Sequence, residues 1–415
     1  MRGFLAILLL ELKSLARSKT LAMLVAAAVV WMLAAPHLVV GDGTREGARE
    51  LYIRFSLGGV FAMLAVSLLA SATGALASER DAKRLQLTMV RPVGGFTVAL
   101  AKIAAHTAAG ALVMAVACGV LALNADLSRG CFRVLSPVLP SPRQEAETMY
   151  EEYMKDPQTP AAVKKAGRGT VLRLLENRAA DHYQTVATNS SAAWRFRLDG
   201  KARATAPTVR LRLTNQYEMR QTVAGKFRLG GYGGTVSNMT QAVVTVPLAG
   251  GGPAADELVF ANLGAGAVML RPRKDVKLLS PEDSFGWNLA RAYLELVSVL
   301  AFLVSFGVFL SAGLGRPVAM FTAFVALTVS EISPSVTEQY PDELETDLAD
   351  RIGLVITRSA AGLAKPVSSA TPLSALSADE YVEGAVRLAV VDMAVAPLVM
   401  ALLAGLVLPR REVGL

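Results

Sequence analysis

Apolar runs long enough to cross a bilayer fill the chain to about Leu123, give way to a polar stretch over residues 124–286, and resume at Trp287. A hydrocarbon core demands about 20 apolar residues per helix. Within it each backbone amide must find its partner inside the protein, so such runs fold as packed helices. The pattern predicts an integral membrane protein with one water-facing domain inserted between two membrane halves. A hydrophobic content of 53% over 415 residues, with positive mean hydropathy, agrees with that class.

About six runs meet the length criterion: residues 21–40, 56–77, 97–123, 287–312, 317–332 and 384–408. The fifth is short and ends at Glu331 and Pro334, so it crosses with snorkelling flanks or stops partway. Ahead of the first run, Phe4 to Leu10 is apolar and Glu11, Lys13, Arg17 and Lys19 follow at once, with no small-residue cleavage site. Residues 1–19 therefore read as a basic amphipathic helix on the membrane surface. Residues 45–55 interleave Arg45, Arg49 and Arg54 with Glu46 and Glu50, which suggests a solvated helical extension of the second span.

The net charge of +8 is placed beside the apolar runs, at Arg80, Lys83, Arg84, Arg91, Arg316, Arg410 and Arg411 as well as at the N-terminus. That is the signature of membrane orientation and not of nucleic-acid binding. It predicts both termini in the cytoplasm and residues 124–286 outside; the expected setting is a plasma membrane, as in a bacterial inner membrane. Cys118 and Cys131 are the two cysteines, with no CxxC or Cys/His cluster, so neither a zinc site nor a disulfide framework is indicated.

The predicted domains are a membrane half over 1–123, an extracytoplasmic domain over 124–286, and a second membrane half over 287–415 with an external segment at 333–383. Inside the extracytoplasmic domain a helical arm spans 140–187. After Asn189 the hydrophobic period changes to two: Trp194, Phe196 and Leu198 alternate with Arg195 and Arg197, and Val209, Leu211 and Leu213 with Arg210 and Arg212. Further strand candidates are 243–248, 258–262, 268–270 and 276–279, separated by turns such as 230–234 and 250–253. The expectation is an antiparallel β-sandwich over 190–282, with the four arginines sharing one wet face of a strand pair. The fold class is thus an α-helical polytopic membrane bundle plus an inserted α+β extracytoplasmic domain.

Charges inside spans are costly and concentrate where polar chemistry is needed. The candidates are Lys102 and His106 in the third span, Arg291 and Glu295 one turn apart in the fourth, and Arg387 and Asp392 in the last. Arg291 and Glu295 have the spacing to pair with each other, and Lys102 has the length to snorkel to the interface. No phosphate loop, GxSxG elbow or HExxH pair occurs, and with three histidines there is little for catalysis to draw on. An enzyme is not the expected class, and no cofactor is expected on this chain.

The segment Ser78-Glu79-Arg80-Asp81-Ala82-Lys83-Arg84-Leu85-Gln86-Leu87-Thr88-Met89-Val90-Arg91-Pro92-Val93, followed by Lys102, resembles the cytoplasmic loop between spans two and three of ABC-2-type transporter permeases. The basic tail Pro409-Arg410-Arg411-Glu412, the amphipathic first helix and the external segment before the last span are similar to the same family. Two departures stand out: Lys83-Arg84 replaces a frequent Gly-Thr pair, and a whole domain occupies what is usually a short loop. The resemblance implies a separate cytoplasmic ATP-binding-cassette ATPase carrying ATP and Mg, a second permease copy, and the lipid bilayer as partners. It implies docking through Glu79, Arg80, Lys83, Arg84, Leu85, Leu87, Val90, Arg91 and Pro92, the charges giving complementarity and the apolar residues anchoring. Rival readings are an ATP-driven mechanotransmitter that moves its external domain, and a membrane-anchored sensor or adhesion protein.

Overall fold

The computed structural model describes residues 2–38, 45–83, 94–124, 127, 129–157, 168–200, 202, 207–213, 222–239, 243–251, 255–339, 372–383 and 394–412. Two compact units form, one from Met1–Arg129 with most of the chain after Ser284, the other from Gly130–Asp283.

The first unit is helical. Its elements are α1 (Arg2–Arg17), α2 (Lys19–Leu38), α3 (Arg45–Ala72), the short α4 (Ala77–Asp81) and α5 (Gly95–Asn124). Beyond the insertion come α9 (Phe285–Gly313), α10 (Arg316–Gln339), α11 (Pro372–Ser377) and α12 (Ala396–Glu412). A helix occupies part or all of each predicted apolar run, and three stretches, Gly47–Asp81, Gly95–Asn124 and Phe285–Gly313, are long and apolar enough to span. The α1–α2 pair passes the same test as one unit but is bent by 60°. Helix α10 has its apolar stretch over Arg316–Thr328, and α12 over Ala396–Leu408, each shorter than a full span. Among the described residues three helices are thus of spanning length, or four if the bent pair is one span.

Helix α9 is the axis of this unit, packed by α3, α5 and α12. Leu57, Val60, Leu64 and Leu68 of α3 recur at helical spacing and are buried against it with Leu296, Leu300 and Val304. In a bilayer such packing is driven by close contact, which favours small residues at crossings. Gly405 of α12 is one: a Cβ there would lie 2.6 Å from the Phe96 backbone nitrogen of α5. Gly405→Val is expected to pry these helices apart at a cost of about 1–3 kcal/mol. The fluorogenic reactivity of the buried Cys118 thiol during heating, in a Cys131→Ser protein, reads that loss. Gly59 is another crossing, where the Trp31 indole of α2 fills the space of a side chain and donates from Nε1 to the Phe55 carbonyl at 3.0 Å.

The second unit opens with β1 (Gly130–Leu135), a strand ahead of the arm that alternation did not reveal. The arm is a helical hairpin, α6 (Pro142–Lys155) and α7 (Arg168–Ala180). Ser141 and Gln144 start α6 with a reciprocal capping box, and Ala146, Val171 and Leu175 form a small core of its own. Strands β2 (Gln184–Val186), β3 (Ser191–Arg195), β4 (Thr208–Arg212), β5 (Thr222–Leu229), β6 (Tyr232–Met239), β7 (Val243–Pro247), β8 (Ala249–Gly250), β9 (Glu257–Asn262) and β10 (Val268–Leu270) follow. A helical turn α8 (Pro272–Asp275) then leads into β11 (Val276–Ser284). They build sheets in the orders β1-β11-β4-β7 and β3-β9-β5-β6-β8, with a separate β10-β2 ladder. Trp194, Phe196, Phe227, Leu229, Phe260, Val209, Leu211 and Leu278 share the core, and the cross-strand pair Phe227–Phe260 has ring centroids 4.8 Å apart.

Two sequence expectations change here. Strand β3 pairs with β9, while β4 pairs with β11 and β7, so Arg195 and Arg210 belong to different sheets and the expected joint basic face does not form. The reason is topological: β3 and β4 are consecutive strand candidates in sequence, but each finds its hydrogen-bond partner elsewhere. Glycines 233 and 234, read as part of a turn, instead continue β6, opposite Arg228 and Phe227.

Ion pairs fasten the arm. Arg273 meets Glu145 at 2.8 Å, and Lys274 meets Asp181 at 2.7 Å. Hydrogen bonding from Lys274 holds the Asp181 carboxyl below the usual carboxylate range. That contribution is present at neutral pH and fades as pH falls through the lowered value.

Candidate functional site

Glu79 and Arg80 occupy adjacent positions on α4, a helix too short to hold its own geometry. Their side chains go to different partners. Glu79 Oε1 accepts from Lys102 Nζ at 2.8 Å, and the same ammonium reaches Glu11 Oε2 of α1 at 3.1 Å. Arg80 donates from Nη1 to the Ala312 carbonyl at 3.1 Å and from Nη2 to the Leu314 carbonyl at 2.9 Å. Those carbonyls close α9, where the last turn leaves acceptors free and a positive charge is favoured.

Lys102 is the centre of this arrangement. Its side chain is 2% exposed, so it does not snorkel, whereas Glu11 and Glu79 are 14% and 30% exposed. One turn deeper in α5, His106 Nδ1 lies 2.9 Å from the Lys102 carbonyl and Nε2 lies 3.1 Å from Ser71 Oγ. A carbonyl only accepts, so Nδ1 carries the proton, and in the neutral ring Nε2 accepts from the Ser71 hydroxyl. Attraction between close opposite charges is on the order of 4 kcal/mol at an effective dielectric of 20, and removing an ammonium from water costs several kcal/mol in return. What such a cluster supplies above all is fixed geometry among the elements it joins.

Beyond α4 the backbone turns at Lys83, which is exposed and has φ of 55°. Arg84, Leu85, Leu87, Val90, Arg91 and Pro92 of the expected docking segment lie outside the described residues, as do Arg387 and Asp392.

A second polar cluster joins other parts of the same unit. Asp379 Oδ2 pairs with Arg49 of α3 at 2.9 Å and with Arg129 at 3.2 Å. The Arg49 guanidinium also sits 4.9 Å from the centre of the Phe285 ring. Asn288 of α9 donates to the Glu380 carbonyl at 2.8 Å and accepts from the Val382 amide at 2.9 Å. Arg291 lies over the Tyr381 ring at 4.5 Å instead of pairing with Glu295, since the aromatic face of the 378–383 segment is what the fold presents to it. Glu295 is 5% exposed and its Oε2 has no hydrogen-bond partner. Arg49, read from sequence as part of a solvated extension, is held by Asp379 and is partly exposed.

Sequence reasoning singled out Lys102, His106, Glu79 and Arg80 but not Glu11, Ser71, Asn288 or Asp379. Glu11 carried a signal, being the single acid in a basic surface helix. Asp379 carried none, because its arginine lies 330 positions away. The joined groups are ion pairs and carbonyl caps, and among the described residues no three His, Cys, Asp or Glu side chains converge to hold a metal ion. Such an arrangement positions helices. Comparison of the chain with protein-family models, with curated proteins and with solved structures finds no match.

Proposed function

We propose that the chain is the membrane subunit of an ABC-type transporter, with both termini and residues 79–91 on the cytoplasmic side, where a separate ATPase subunit docks. The observation that supports this most is the double tie of α4: Glu79 to Lys102 and thereby to α1, Arg80 to the end of α9. A segment linked in this way passes a displacement into three helices, which is what a permease driven from outside the membrane needs. Lys83 and the residues after it remain for contact with the partner, with Arg84 and Arg91 as charges and Leu85, Leu87 and Val90 as apolar anchors.

The test is a pull-down of the tagged chain from its native membrane with an ATPase assay on the eluate. A phosphate-loop ATPase is expected to co-purify, and Arg84→Glu with Leu87→Asp is expected to remove it while membrane insertion is unchanged. An eluate without such a partner in mild detergent sinks this reading. A second reading, a mechanotransmitter that moves its external domain, is favoured by the independent core of the Gly130–Asp283 unit. ATP-dependent flux in proteoliposomes separates the two.

A further inference from the structure

Two stretches of chain, 91 and 23 positions distant from Lys102, meet on its one ammonium. We propose that Lys102 is a positioning residue, a charge clamp that holds α1 and the α4 turn to α5 so that the three shift as one body. Its role in transport rests on the permease reading above, which supplies what pulls on the α4 turn; the clamp itself does not depend on it.

The charge arithmetic points to placement and not to stability. One carboxylate is enough to neutralise a buried ammonium, and here there are two, each drawn from a different element. Apolar side chains in place of the whole cluster, all three charges together, would stabilise it about as well. What an apolar residue lacks is direction: two short contacts at 2.8 and 3.1 Å fix where both carboxylates lie. The elements concerned need that. Helix α1 packs along α5 and rests on the core through Ile7, but Leu5, Leu9 and Leu10 are more than half exposed, so its apolar contacts are one-sided and fix its register weakly. Helix α4 is five residues long and ends on the exposed Lys83. His106 completes the setting by bonding the Lys102 carbonyl, which keeps that turn of α5 in place.

Hydrogen exchange of the full chain in phosphatidylcholine–phosphatidylglycerol nanodiscs, read by mass spectrometry, tests the clamp. Lys102→Met is expected to raise exchange of residues 8–17 and 77–83 together by about tenfold, the consequence of two partly exposed carboxylates losing their shared cation. Lys102→Arg keeps the charge and is expected to hold both segments within about threefold of the parent. Residues 296–304 at the centre of α9 serve as the control and should not change. Unchanged protection in either segment, or equal loosening by Met and Arg, overturns the proposal. Should the control segment also lose protection in Lys102→Met, the pair Glu11→Gln and Glu79→Gln decides between a clamp and a general loss of packing. Each must then loosen its own segment by about tenfold, and failure of either overturns the clamp. An absent ATPase in the pull-down ends the permease reading and leaves the exchange result standing, so the two failures are distinguishable.

Discussion

Asp379→Asn is expected to loosen the helical unit by about 2 kcal/mol, less than an orphaned fully buried charge costs because Arg49 keeps some exposure. One carboxylate oxygen serves two guanidiniums in the parent chain, at 2.9 and 3.2 Å. The side chain of Arg129 is 41% exposed and recovers water when the carboxylate goes, whereas that of Arg49, 21% exposed, recovers only part of it. The Phe285 ring beneath Arg49 offers a cation–π contact of about 0.5–2 kcal/mol, too little to replace an ion pair. Asparagine is the informative substitution because Asp379 has φ of 55°, a left-handed conformation that asparagine also adopts. Backbone strain is thus held constant and the charge alone is removed. Arg129→Ala, by contrast, is expected to cost no more than about 1 kcal/mol, as exposed pairs do. Heating a Cys131→Ser protein and following the Cys118 thiol gives both values. Equal effects from the two variants would show that Asp379 acts through the exposed arginine and not through Arg49.

The helices over the apolar runs were legible because length and composition are properties of a local stretch of chain, and nothing distant has to be known. The inserted sandwich was legible only where alternation was clean, as at Trp194–Phe196–Leu198. Strand β5 carries the same alternation in Val223, Phe227 and Leu229, but Gly225 interrupts it, and the three glycines at 231, 233 and 234 disguise the start of β6. At Gly234 a side chain would collide with Val246 and Leu248, so the residue that reads as a turn marks a close approach of neighbouring strands. The arginines at 195 and 210 show a further limit, since strand pairing and not proximity in sequence decides which residues share a face. Lys102 was conspicuous as a charge in an apolar run. Its partners were not, because electrostatic pairing leaves no periodic trace and the two glutamates belong to different elements. For the same reason the sequence suggested that Arg291 and Glu295 pair, a local rule that the nearby Tyr381 ring overrides.

Asn262→Leu is expected to produce the largest loss in the sandwich unit. The side chain is fully buried, and its amide nitrogen lies within hydrogen-bonding distance of three carbonyls, those of Val186 at 3.1 Å, Ala187 at 3.3 Å and Gly266 at 2.8 Å. Its oxygen accepts from the Gly264 amide at 3.0 Å. These groups belong to the end of β2, to the turn after it and to the 263–267 connection, which are joined in turn by the β2–β10 ladder. Leucine keeps the branched shape, but its methyl groups are bulkier than the amide nitrogen and oxygen they replace, so crowding against these carbonyls adds to the loss. It leaves backbone groups without partners where strands and ladder leave no room for water, at about 1–3 kcal/mol for each group that stays buried. With the more accessible connection rehydrated, about 3 kcal/mol is expected to remain, a fall of about 6–12 °C for a unit of this size. Cys131 is buried in the same unit, so its thiol in a Cys118→Ser full chain reports this transition. Leu263→Ala, one position along at a side chain 57% exposed, is the matched control and is expected to stay within about 0.5 kcal/mol. A shift below about 2 °C for Asn262→Leu would mean that the four contacts are replaced by others when the amide is removed. The 263–267 connection would then be free to move without disturbing the sandwich.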